Sequence, residues 1–211
     1  MTDRPERRIL LVRHATPGVD PARRADEWRL SPVARAEVDR LAERIATYRP
    51  TTIVTSPEPK ATGTAALLGE RLGLRAELVD GLREHDRTGV PFLTEAAWER
   101  ALVALFTNPD ALVLGRETAT EARARFGLAV DAALADHAEG DLVVVTHGTV
   151  LALFVAQHNG VDPLAFWRRL AMPDLAVLAV SGFALLDGPV GGPIDAPFGA
   201  PNPGAVRGAE R

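Results

Sequence analysis

The sequence predicts an α/β fold: a three-layer α/β/α domain with helices on both faces of a mainly parallel central sheet. Three observations lead there. Apolar runs such as Leu10-Leu11-Val12 and Leu142-Val143-Val144-Val145 have the near-continuous character of strands buried on both faces. These runs alternate along the chain with segments whose apolar residues recur at helical spacing. The 211 residues, 46% hydrophobic and 25% charged, suffice for one sizeable core and are few for two.

Taken in order, residues 9–12 form the first strand. Residues 16–29, with Pro17, Gly18, Pro21 and many charges, read as a loop. Ser31-Pro32 has the form of an N-cap followed by proline at the first helical position, and Ala34, Val38, Leu41 and Ile45 continue a helix to about Thr47. Ile53-Val54-Thr55 is a second strand, followed by a helix from about Lys60 to Leu72 that Gly73 stops. Glu77-Leu78-Val79 is a third strand. Residues 85–139 hold no strand pair; Thr94 caps a helix to about Thr107, and Thr118-Ala119-Thr120-Glu121 is a capping box for a helix ending near Ala138. A strand at 142–146 precedes a helix from about Thr149 to His158, closed by Gly160, and Asp162-Pro163 opens a short helix. Residues 176–180 and 183–186 form a closing β pair around Ser181-Gly182. Residues 1–187 are therefore assigned to one domain, and 188–211, rich in Gly, Pro and Ala, to a flexible tail.

Composition excludes several classes. A net charge of −4 gives no reason to expect a nucleic-acid or membrane-surface partner. No apolar run reaches the ~20 residues that span a bilayer, and the charged N-terminus precedes no signal-type segment, so a cytoplasmic location is expected. The absence of cysteine removes disulfides, thiolate metal ligands and a cysteine nucleophile. Five histidines without clustered spacing give no evident metal site, and no cofactor is expected. All but one of the 24 Lys and Arg residues are arginine, the exception being Lys60.

Chemistry concentrates at the ends of predicted elements. The first strand runs into Arg13-His14 and the 142–146 strand into His147-Gly148. In open α/β sheets ligands bind beyond the carboxyl ends of strands, so both histidines belong at one crevice. Two histidines, an arginine, Lys60 and Glu84 form a set suited to phosphoryl transfer, where charge spreads over three equatorial oxygens and catalysis is mostly positioning and electrostatics. A neutral histidine can act as nucleophile, and a carboxylic acid can protonate the departing oxygen.

These residues carry a resemblance. Leu-Val-Arg13-His14-Ala15 resembles the Arg-His-Gly strand end of the histidine phosphatase superfamily, the phosphoglycerate mutase-like fold. Leu30-Ser31-Pro32-Val33-Ala34 resembles its Leu-Ser/Thr-x-x-Gly helix start, and Ser56-Pro57-Glu58-Pro59-Lys60-Ala61-Thr62-Gly63-Thr64-Ala65 its Ser-Pro-x-x-Arg-Ala-x-x-Thr-Ala. Leu82-Arg83-Glu84 resembles Leu-x-Glu, Val145-Thr146-His147-Gly148-Thr149 resembles Val-Ser-His-Gly-Gly, and Met172-Pro173-Asp174 falls where members often have Pro-Asn. The match covers about residues 9–186 in the correct order, and five motifs in order are far more specific than any one. The resemblance implies His14 as the phosphorylated nucleophile and Glu84 as proton donor, with Arg13, His147 and Lys60 binding phosphoryl oxygens and no metal. It implies a metal-independent phosphatase acting on a small phosphorylated substrate, a mutase fitting less well, and leaves a homodimer open. Three of the departures from the pattern bear on the expected chemistry. Ala15 replaces glycine, Pro17 stands where a hydroxyl residue is common, and Lys60 replaces arginine, trading a planar fork for a compact point charge. A second reading is therefore a family member that binds a phospho-ligand or a protein without turnover.

The remaining candidates have plainer readings. His85, His137 and His158 are expected as surface or cap residues, Arg23, Arg24 and Arg29 as a solvated cluster, and Trp28, Trp98 and Trp167 as packing.

Overall fold

The computed structural model describes residues 6–189. The chain runs β1 (Arg8–Arg13), α1 (Ala34–Ala46), β2 (Thr52–Thr55), α2 (Pro59–Leu72), β3 (Ala76–Leu78), α3 (Glu95–Thr107), α4 (Ala119–Asp136), β4 (Leu142–Thr146), α5 (Gly148–Asn159), α6 (Pro163–Arg169), β5 (Asp174–Ala179) and β6 (Leu185–Asp187). Single 3₁₀ turns lie at Ala25–Glu27 and Asp80–Leu82.

The six strands form one sheet in the order β3-β2-β4-β1-β5-β6. The four strands from β3 to β1 are mutually parallel, and β5 and β6 run antiparallel beside them. Successive side chains point to opposite faces, so Ile9 and Leu11 enter the core under α4, α5 and α6 while Leu10 and Val12 enter the core under α1 and α2. β4 divides likewise, Leu142 and Val144 to one side and Val143 and Val145 to the other. Both faces are covered, which is why these runs are continuously apolar. β3 is the exception. It lies at the sheet edge with all three residues exposed.

The chain visits β1, β2 and β3 before inserting β4 between β1 and β2. That insertion sets Arg13 opposite Thr146 in register. The residues that follow, His14 and His147, therefore emerge side by side at the carboxyl end of the sheet.

Helix starts and stops follow local chemistry where expected. Thr94 and Asp162 cap α3 and α6 through their side chains, and Thr118 with Glu121 forms the capping box of α4. Gly73 and Gly160 end α2 and α5 at positive φ. One start differs. α1 begins at Ala34 with Val33 as N-cap, and residues 31–33 form a turn. The Ser31 hydroxyl is buried without a hydrogen bond, so Ser31-Pro32 does not cap the helix. The Thr16 backbone and hydroxyl instead bond the Glu37 carboxylate, tying the first loop to the first turn of α1. Of the predicted tail, residues 190–211 lie outside the described residues.

Candidate active site

Arg13, His14, Lys60 and His147 are all buried at the carboxyl end of the sheet, each 7% exposed or less. β1 and β4 deliver the histidines: the His14 amide donates to the Thr146 carbonyl at 3.0 Å, and the two imidazole centroids are 5.2 Å apart. His14 Nδ1 lies 2.8 Å from the Ala15 carbonyl. A carbonyl only accepts, so Nδ1 carries the proton and Nε2 carries the free lone pair. Burial, then His147, Lys60 and Arg13, push the His14 pKa well below its ordinary value, so the ring is neutral. Burial and Lys60 keep His147 neutral too. Its Nε2 lies 2.8 Å from Ser56 Oγ, and its Nδ1 is buried without a partner. Ala15 has no positive φ and is fully buried, so the glycine usual at that position is not required by the backbone here.

Arg13 Nη1 donates to the Leu170 carbonyl at 2.7 Å, and the guanidinium lies 5.4 Å from the Trp167 ring centroid. Burial pulls its pKa down to about 10 despite Glu84 and Asp174, so it remains a cation at neutral pH. A Cβ at Gly148 would fall 2.9 Å from Trp167 Nε1 and 3.1 Å from Arg13 Nε, which fixes glycine at the start of α5. Arg13 Nε is buried and has no hydrogen-bond partner.

Glu84 sits in the loop after the second 3₁₀ turn. Arg125 of α4 holds that loop by donating to the carbonyls of Gly81, Arg83 and Glu84. Its carboxylate meets the α5 N-terminus, where the amides of Thr149 and Val150 donate at 3.2 and 3.3 Å. Burial would raise the Glu84 pKa, but Arg87 and backbone amides outweigh it and hold it far below the ordinary carboxylate range. At neutral pH Glu84 is therefore ionised.

Lys60 reaches the site differently from an unencumbered phosphate ligand. Its ammonium donates to Glu58 Oε2 at 2.5 Å and to the Ala25 carbonyl at 2.7 Å, clamping the first loop against the start of α2. One of its three N–H donors remains. A lone cation at a helix N-terminus would oppose the dipole; the N-cap residue Glu58 neutralises it. Glu58 Oε1 also accepts the Glu84 amide at 2.8 Å and lies 3.5 Å from His147 Nε2.

Sequence reasoning assigned nothing to Glu58, Ser56, Arg87 or Thr149, although three of them lie inside quoted motifs. His85 is not a surface residue: it is 2% exposed and donates from Nε2 to the Glu117 carbonyl, anchoring the Glu84 loop. His137 is the C-cap of α4, and His158 packs between Phe154 and Phe183. Trp98 and Trp167 stack on Arg87 and Arg13 rather than filling core alone. Among the described residues no group of three or more His, Asp or Glu is placed to hold a metal ion, and no helix is long and apolar enough to cross a membrane.

The model of histidine phosphatase superfamily branch 1 matches residues 9–183. The chain belongs to that superfamily. A solved mycobacterial hydrolase is 25% identical, with TM-score 0.72, 87% of this chain and 98% of that one covered. A mycobacterial glucosyl-3-phosphoglycerate phosphatase in complex with VO3 is 24% identical at TM-score 0.67, covering 86% of this chain and 98% of its own. Bacillus stearothermophilus YhfR is 20% identical at TM-score 0.69, covering 87% and 96%. No curated protein matches. Family and fold together indicate phosphatase or mutase-type activity.

Proposed function

We propose that the protein hydrolyses a small phosphomonoester through a phosphohistidine on His14 Nε2. The observation that carries this reading is the neutral, buried His14 ring with its Nδ1–H committed to the Ala15 carbonyl. The lone pair is then on Nε2, and Lys60 and Arg13 are near enough for their charge to act on the ring. Nε2 attacks phosphorus and forms the N–P bond as the P–O bond to the leaving group breaks. The imidazolium that results keeps its Nδ1–H on the Ala15 carbonyl. Arg13, Lys60 and His147 take the phosphoryl oxygens. Glu84, once protonated, gives its proton to the departing oxygen. A water then attacks phosphorus, returns a proton to Glu84, breaks the N–P bond and leaves inorganic phosphate with neutral His14.

Glu84 must gain a proton before the first step. A phosphate dianion placed beside it disfavours its carboxylate form, and a monoanionic substrate brings a proton with it. Hydrolysis is favoured over phosphoryl exchange between two positions of a substrate on analogy with the compact phosphatases of the fold.

The test is trapping. A wild-type chain mixed with a phosphomonoester and quenched should carry an acid-labile, base-stable phosphoryl group, lost in His14→Ala together with turnover. Undiminished hydrolysis by a folded His14→Ala protein overturns the mechanism. Two observations favour the second reading, a phospho-ligand binder without turnover: Lys60 is bound to Glu58 and Ala25, and Glu84 is ionised. Inorganic phosphate release from a generic aryl phosphate separates the two.

A further inference from the structure

Arg87 is placed at the site by more structure than a loop residue usually has. A Cβ at Gly115, at φ +64°, would lie 1.7 Å from the Asp86 carbonyl oxygen, so glycine allows the 115–117 segment to press against the Asp86-Arg87 backbone. The Arg116 amide then bonds the Asp86 carbonyl, and the Asp86 amide bonds the Glu117 carboxylate. The side chain is fixed as well. Nη2 donates to Thr149 Oγ1 at 2.8 Å and lies 3.5 Å from Glu84 Oε2, and the guanidinium carbon is 4.4 Å from the Trp98 ring centroid. One face of the plane is thus covered by indole and one corner is tied to the residue two after His147.

The rest of the fork is uncommitted. Nε is buried without a partner, and Nη1 makes no hydrogen bond among the described residues. Buried donors are normally satisfied; Arg13 Nε and His147 Nδ1 are orphans too, and Arg87 is near enough for its charge to act on both residues, so together they mark a place where a ligand's oxygens complete the count. Lys60, at the position where the family motif has arginine, is already shared between Glu58 and Ala25.

We propose that Arg87 is a phosphate-binding residue, supplying from the Glu84 loop the planar guanidinium that Lys60 does not. This rests on the phosphatase reading of the same site. Thr149, Glu84 and Trp98 hold the plane, and the bound phosphoryl group accepts from a donor they leave uncommitted, Nε–H or Nη1–H. Removal of negative charge from Arg87's neighbourhood is not needed for this; the dianion competes with Glu84 for the same cation, so substrate binding loosens the grip of Arg87 on Glu84 and lets it take up its proton.

The experiment measures orthovanadate inhibition, inorganic phosphate affinity by calorimetry, and aryl phosphate turnover in wild type, Arg87→Gln, Arg87→Lys, Glu84→Gln and Glu84→Gln/Arg87→Gln. Loss of one charge-assisted contact should weaken phosphate and vanadate about ten- to a hundredfold in Arg87→Gln, with partial recovery in Arg87→Lys. The same loss should appear on the Glu84→Gln background, which an arginine that only orients Glu84 would not produce. Unchanged anion affinity in either Arg87→Gln protein, with wild type active, overturns the role of Arg87 alone. A wild type that neither releases nor binds phosphate overturns the phosphatase reading beneath it.

Discussion

Lys60→Met tests whether the Lys60–Glu58 pair is the buried unit that the geometry describes. Methionine keeps an unbranched side chain and deletes the ammonium. The side chains of Lys60 and Glu58 are 7% and 9% exposed, so water cannot readily replace what is lost. The substitution removes the 2.5 Å bond to Glu58 and the 2.7 Å bond to the Ala25 carbonyl. Breaking a buried pair by deleting one partner costs about 3–5 kcal/mol, and the neutral acceptor left behind adds about 1 kcal/mol. Glu58 keeps the Glu84 amide and the nearby His147, which soften the penalty. The expected loss is therefore on the order of 3 kcal/mol, at the lower end of the range for a broken buried pair, read by urea unfolding with an unchanged m value. Adding Glu58→Leu removes the stranded charge, and because apolar replacement of a whole buried pair is often near neutral, the double variant should regain about 2 kcal/mol. A loss below about 1 kcal/mol for Lys60→Met would refute the pairing, since that is the range of exposed ion pairs. If stability falls as expected while kcat/KM is unchanged, Lys60 is a pin for the first loop and no ligand of phosphate.

Three further outcomes follow from the same geometry. Glu84→Gln should lower turnover of alkyl phosphates about 10²–10⁴-fold and of activated aryl phosphates much less; an equal loss for both would make Glu84 a positioning group. The pKa of His14 is depressed by burial, His147 and Lys60, so its ring stays neutral as pH falls through the ordinary histidine value, and kcat at saturation should not decline as pH falls through 6.5; such an acid-side decline refutes the buried neutral nucleophile. The sign for stability is opposite to that for a salt-bridged histidine. Below about pH 6.5 the unfolded chain takes up protons on His14 and His147 that the native chain refuses, so stability should fall with a slope approaching about 1.4 kcal/mol per pH unit for each.

Sheet, helices and the residues at strand ends were legible because each rests on a local signal. Period-two burial and continuous apolar runs mark β1 and β4, and Thr94, Thr118 and Asp162 mark helix starts by side-chain acceptors that the structure uses. Ser31 failed because the same signal is outcompeted: the first loop bonds Glu37, and the turn at 31–33 displaces the helix start to Ala34. What could not be read was which non-adjacent side chains share a proton or a charge. Glu58 looks like any solvated N-cap carboxylate until α2 is docked against the 80–84 loop and β4, when it touches Lys60, Glu84 and His147 together. Arg87 looked like one charge in an Arg-Glu-His-Asp-Arg run, and only the packing of 115–117 and Trp98 gives it a direction.

The departures from the family pattern are better understood jointly than singly. A lysine that had merely drifted from arginine would leave an unpaired cation at a helix N-terminus, buried and unfavourable by the dipole. Here the motif's open position is Glu58, which pairs with it. A second departure, Thr149 where the late motif has its second glycine, supplies the hydroxyl that holds Arg87, a residue outside every motif. Each change alone costs something: a buried carboxylate, a point charge in place of a fork, a hydroxyl against a helix start. Together they leave Arg13, Lys60 and Arg87 as the site's cations against the carboxylates of Glu58, Glu84 and, beside Arg13, Asp174, with both histidines neutral. In the proposed reaction a phosphate dianion adds two negative charges to that set and disfavours the carboxylate form of Glu84, so binding the dianion and arming the general acid are the same event.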